Sequence, residues 1–75
     1  MPSFKFKRKI KKIIEQLIDE YWVFAWYDIK QTEDYVYITM LNRTMSIDNN
    51  TIENWTIQFI ESLIIWYFKL EQLNY

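Results

Sequence analysis

Residues 35–48 read YVYITMLNRTMSID. β-Branched and aromatic residues dominate both halves, and apolar residues alternate with polar ones. This pattern predicts two strands, 35–41 and 44–48, joined by a tight turn at Asn42-Arg43. In that pairing Val36, Ile38, Met40, Met45 and Ile47 share one face, the one that should meet a helical layer. Tyr35, Tyr37, Thr39, Leu41, Thr44 and Ser46 then point the other way.

Upstream of this hairpin lies a polar turn, KQTED at 30–34, and before it the aromatic run YWVFAWYDI at 21–29. Its β propensity predicts a first strand. Trp22, Phe24 and Trp26 fall on one side of that strand, and Val23, Ala25, Tyr27 and Ile29 on the other. Asp28 shares parity with the Trp set, which favours turning that set outward. Further upstream, Phe6, Ile10, Ile13, Ile14, Leu17, Ile18 and Tyr21 follow the 3/4 spacing of a helical face. A helix over about 4–20 is predicted, with Ser3 as its N-cap. Downstream, Asn50 with Glu53 three residues later resembles a capping box. A final helix over 52–73 follows from it. The expected fold is α+β: one compact domain over 1–75, in the order α-β-β-β-α, an antiparallel meander with two helices packed on one face.

Composition limits what such a domain can do. With no Cys and no His, disulfides, thiolate or imidazole metal sites, the best nucleophile and the commonest general base are excluded. With no Gly, no phosphate-cradling loop or dinucleotide fingerprint can form. Asn42, Asn49, Asn50 and Asn74 are the residues expected to replace glycine in turns and ends. The carboxylates Asp28, Glu33 and Asp34 in the first hairpin, and Asp19 and Glu20 at the end of the first helix, match no metal-binding loop. No enzymatic activity, metal or cofactor is therefore expected. No segment reaches the ~18 apolar residues of a membrane span, no secretory signal is seen, and a cytoplasmic protein is the expectation.

Two features point to binding. The first is charge: six of the nine basic residues, Lys5, Lys7, Arg8, Lys9, Lys11 and Lys12, precede residue 13, while the remainder of the chain carries ten acids against three bases. These cations stand at the start of a helix, where the macrodipole disfavours them by ~0.3–1 kcal/mol each. They form a candidate patch for an anionic partner.

The second feature is aromatic surplus. One residue in five is aromatic, 20% of the chain, more than a core this small can enclose. Trp22, Phe24, Trp26, Tyr35 and Tyr37 on the sheet, and Ile65, Trp66 and Phe68 in LIIWYF at 63–68, are candidate interface residues. The expected function is a non-enzymatic interaction protein, a homodimer that binds and blocks or modulates a larger protein. Twelve Ile against one Ala, one Pro and two Arg look like translated AT-rich DNA, which suits a phage or mobile-element inhibitor of a host defence or nucleic-acid enzyme. The alternatives are nucleic-acid binding through the basic helix and, with less support, attachment to a membrane surface.

Overall fold

A computed structural model describes residues 4–23 and 25–72. The order is α1 (Lys5–Tyr21), β1 (Tyr27–Gln31), β2 (Tyr35–Met40), β3 (Arg43–Asp48), α2 (Asn49–Asn54), α3 (Ile57–Phe68) and a closing 3-10 turn, Leu70–Gln72. The strands form one antiparallel meander in the order β1-β2-β3, and the helices cover one of its faces. This is the α+β architecture read from the sequence, with its last helix in two pieces.

The β2–β3 hairpin turns one residue earlier than expected. Leu41 and Asn42, not Asn42 and Arg43, take the left-handed conformation, at φ 55° and 63°. That pair of positive φ values is the primed turn whose twist matches the strands. Met40 consequently pairs with Arg43, Ile38 with Met45 and Val36 with Ile47. Moving a turn centre by one residue shifts every cross-strand partner by two. Side-chain parity therefore survives: Val36, Ile38, Met40 and Ile47 are buried, Met45 is half-buried, and Tyr35, Tyr37, Thr44 and Ser46 are exposed.

The predicted first strand is mostly not a strand. Helix α1 continues to Tyr21 and ends on Trp22, a left-handed residue at φ 56°. Val23 donates its N–H back to the Ile18 carbonyl at 3.0 Å and buries its side chain, the ending known as a Schellman motif. Strand pairing starts only at Tyr27, opposite Met40. Trp26 would have to pair with Leu41, already in the turn, so residues before Tyr27 have no strand to join. Alternation persists without the ladder: Val23 and Ile29 are buried, while Trp22 and Trp26 are exposed. Lys30 and Gln31, expected in the turn, extend β1 instead. Phe24 lies outside the described residues.

Caps also differ from expectation. Phe4 occupies the N-cap of α1 without a side-chain bond; Ser3 lies outside the described residues. The Lys7 N–H is satisfied from the sheet instead, by Gln31 Oε1 at 2.9 Å. Helix α2 is capped by Asp48, which accepts from the Asn50 N–H at 2.7 Å, so Asn50 is not the cap. The long terminal helix breaks at Trp55-Thr56, both extended, and Thr56 Oγ1 caps α3 by accepting from the Phe59 N–H at 3.1 Å. An unbroken helix over 49–68 would be about 30 Å long. The six-residue strands beneath it span only about 20 Å. The break lets the chain change direction over the sheet.

Between the layers Ile10, Ile13, Ile14 and Leu17 of α1 meet Ile29, Val36, Ile38, Met40 and Ile47 of the sheet, with Ile52, Ile60, Ile64, Phe68 and Leu70 closing the core. No helix among the described residues is long and apolar enough to cross a membrane. Asn42 is the only one of the asparagines named above that takes a positive φ among the described residues; Trp22, Leu41 and Lys69 supply the other left-handed positions. A left-handed non-glycine residue costs roughly 1–2 kcal/mol, against about 0.5–1 for the extra entropy of glycine. Lys69 is exposed and ends α3 at φ 54°. Lys69→Gly should therefore raise stability by about 0.5–1 kcal/mol in urea denaturation.

Candidate functional site

The basic cluster divides by position on α1. Lys5 pairs with Glu53 of α2, Nζ to Oε2 at 3.2 Å, and lies 4.9 Å from the centroid of the Phe6 ring. Lys9 donates from Nζ to the Ile52 carbonyl at 2.6 Å, on the last turn of α2. The lysines that oppose the dipole of α1 thus sit against the negative end of another helix and its carboxylate. Lys7 is half-buried, with Nζ 6.0 Å from the Phe4 ring centroid. Arg8, Lys11 and Lys12 are exposed; among the described residues neither Lys11 nor Lys12 pairs with Glu15. On the helical wheel these three share the outward stripe with Glu15 and Asp19. Lys5, Arg8, Lys11 and Lys12 are exposed, and Lys7 and Lys9 are half-buried.

The second surface is the outward side of α3. Trp66 is 76% exposed, and Trp55 stacks on Phe59 with ring centroids 4.3 Å apart and 26° between planes. Phe59, Ser62 and Trp66 follow helical spacing on the side opposite Ile60, Ile64 and Phe68. At its Trp66 end this ridge is bordered by charged residues, since Arg43, Lys69 and Glu71 line an open cavity together with Ser62 and Trp66. Phe68, read from the sequence as an interface residue, is 2% exposed and belongs to the core. Ile65 is half-buried and packs against that core. The break at Trp55-Thr56 explains both corrections, because it resets the helical phase after residue 55. Trp55 and Phe59 were absent from the candidate set; the signal that could have found them is Thr56, an N-cap residue inside an apolar run.

Tyr67 joins this helix to the hairpin. Its hydroxyl donates to the Thr44 carbonyl at 2.7 Å, while Arg43 donates to the Tyr67 carbonyl at 2.9 Å and stacks on its ring at 5.1 Å. These contacts occupy one end of the free edge of β3, an edge that would otherwise invite another strand.

The outer face of the sheet is the third surface. Tyr35 and Tyr37 lie side by side on β2, ring centroids 6.2 Å apart, and Trp26 is 76% exposed near Leu41 and Thr39. Asp28 and Lys30 of β1 and Asp48 of β3 pair with Thr39, Tyr37 and Tyr35 on the same side. Glu33 and Asp34 form the adjoining turn, which Thr32 closes through its hydroxyl and backbone bonds to Tyr35. Trp22, 72% exposed, lies off the sheet at the end of α1. Near that end the Tyr21 hydroxyl is pushed above the usual tyrosine range, by burial first and then by Glu71, Glu20 and Glu61. It stays neutral at physiological pH. Among the described residues no three carboxylates converge to hold a metal ion.

The division of the basic cluster can be measured. Lys9→Met should lower stability by about 1–2 kcal/mol, because it strips a charged donor from a half-buried carbonyl. Arg8→Gln, at an exposed position, should stay within about 0.5 kcal/mol of the parent in the same urea titration. Comparison with known proteins finds no matching family, no matching curated protein and no matching solved structure.

Proposed function

We propose that this chain is a non-enzymatic interaction protein that pairs with a second copy through α3 and occupies the surface of a larger protein. The observation that carries the reading is the exposure of three tryptophans, Trp22, Trp26 and Trp66, at 72–76% each. Burying such a ring removes about 150–250 Å² from water, at roughly 25 cal/mol per Å². A domain that leaves three of them in solvent forgoes several kcal/mol that a partner recovers.

Of the exposed faces, α3 suits self-association because its ridge is aromatic and bordered by polar and charged groups, Arg43, Lys69 and Glu71 at the Trp66 end, the composition of an interface centre with its rim. In an antiparallel pairing about a two-fold axis near Ser62, Phe59 of one copy faces Trp66 of the other, and the small Ser62 permits close approach. The exposed fractions of Trp55, Phe59 and Trp66, 52%, 38% and 76%, amount to roughly 400 Å². That is about half of the ~800 Å² per side of a stable interface. Half-buried Leu63, Ile65 and Tyr67 are neighbours that extend it.

Small size, AT-rich composition and the lack of His and Cys fit a phage or mobile-element protein that inhibits a host enzyme by covering its surface. Nucleic-acid binding through the first helix has less support, since Lys5 and Lys9 are engaged within the molecule and Glu15 and Asp19 flank the remaining cations. Light scattering at micromolar concentration should give a dimer mass, Trp66→Ser should halve it, and Trp26→Ser, just before β1, should leave it unchanged. A monomer mass for the parent chain at all concentrations removes the dimer.

A further inference from the structure

The outer face of the sheet is aromatic like α3, but its charge is different. Carboxylates stand around its tyrosines: Asp28 beside Thr39, Asp48 beside Tyr35, and Glu33 and Asp34 in the turn that leads into Tyr35. One cation, Lys30, shares the face. Among the described residues Asp28, Glu33 and Asp34 make no ion pair.

At the Tyr35 end Glu33, Asp34, Asp48 and Glu53 line an open cavity of about 340 Å³ together with Phe6, Asn49 and Asn50; Glu53 is paired with Lys5, and Asp48 accepts from the Asn50 N–H. Asn49 is 9% exposed; among the described residues its Oδ1 has no hydrogen-bond donor, while its Nδ2 is committed to the Thr32 and Glu33 carbonyls. A buried acceptor without a donor costs about 1–3 kcal/mol. With Glu53 matched by Lys5, it is Glu33 and Asp34 that leave this corner net negative, beside an amide oxygen that no described residue bonds.

We infer that this corner and the tyrosine row beside it bind a Lys- or Arg-bearing polypeptide segment of the partner protein, one basic side chain entering the cavity and others lying on Tyr35 and Tyr37. The inference rests on the partner-binding reading above and names the partner's chemistry. A guanidinium or ammonium supplies several donors at once to carboxylates and amide oxygens, and it is attracted to aromatic faces. Other occupants fit less well. The carboxylates are spread around an open cavity and do not converge as a metal ion needs. Single-stranded nucleic acid also stacks on tyrosines, but it requires a positive groove, and four carboxylates against one lysine repel phosphate. Basic surfaces are what nucleic-acid enzymes present, so the chemistry agrees with an inhibitor of that class.

The test is fluorescence anisotropy with a labelled Lys/Arg-rich peptide of about a dozen residues, a neutral Ser-rich peptide of equal length and a single-stranded oligonucleotide. Saturable binding of the cationic peptide alone is expected, weakening as salt screens the carboxylates. Glu33→Gln with Asp34→Asn, both exposed side chains, should weaken it at least tenfold, and so should Tyr37→Ser. Trp66→Ser should leave peptide affinity unchanged even where it abolishes the dimer, which separates this surface from self-association on α3. Peptide affinity that is indifferent to the sheet-face variants overturns the inference. So does oligonucleotide binding lost on Tyr37→Ser, or a thermal shift with Ca²⁺ or Mg²⁺ alone that the Glu33→Gln/Asp34→Asn chain lacks.

Discussion

Asn49 ties the two layers together. Its backbone N–H donates to the Asp34 carbonyl at 2.8 Å, and its side-chain amide donates to the Thr32 and Glu33 carbonyls at 3.1 and 3.0 Å. One residue at the start of α2 thereby satisfies the carbonyls of the β1–β2 turn, which β pairing leaves without partners. It also decides where the helical layer begins relative to the sheet. From that anchor α2 is placed against α1, the Lys5–Glu53 and Lys9–Ile52 contacts become possible, and Asp34 and Asp48 are brought to one corner.

A glycine-free chain has to place other residues in left-handed conformations, and the places chosen bear on the surface. Trp22 and Lys69 end the two longer helices, and Leu41 shares the hairpin turn with Asn42. Trp22 leaves its helix toward solvent because Val23 turns inward. Part of the aromatic exposure thus follows from how α1 ends and not from strand alternation.

Charge order along α1 looks unfavourable when the helix is taken alone. Its cations come first and its acids last, against the macrodipole. In the folded molecule the first turns of α1 lie beside the last turn of α2, so Lys5 and Lys9 meet an end of the opposite sign. The local penalty is offset by a tertiary contact between segments more than forty residues apart. Lysines that suggest an external anion in the sequence are partly occupied by the protein itself. Asp28, Glu33 and Asp34, on the outer sheet face and its turn, make no ion pair among the described residues.

The α+β order, the inward face of the hairpin and the apolar stripe of α1 were all legible in the sequence, because each depends on a period, 2 or 3.6, that holds over several residues. Parity alone placed Val36, Ile38 and Met40 inward and Tyr35 and Tyr37 outward, and a turn misplaced by one residue could not disturb it. Tertiary structure decided what periodicity cannot express. The run at 21–26 has strand propensity but no strand opposite it, since the hairpin is too short to reach it. The apolar run after residue 50 reads as one helix until Thr56 caps a second, and that change of phase buries Phe68 and exposes Phe59. Lys9 and Asn49 find their partners across the fold, at carbonyls whose availability depends on where other elements stop. Side-chain pattern is local and is written in the chain; the supply of unpaired backbone groups exists only once the elements have been brought together.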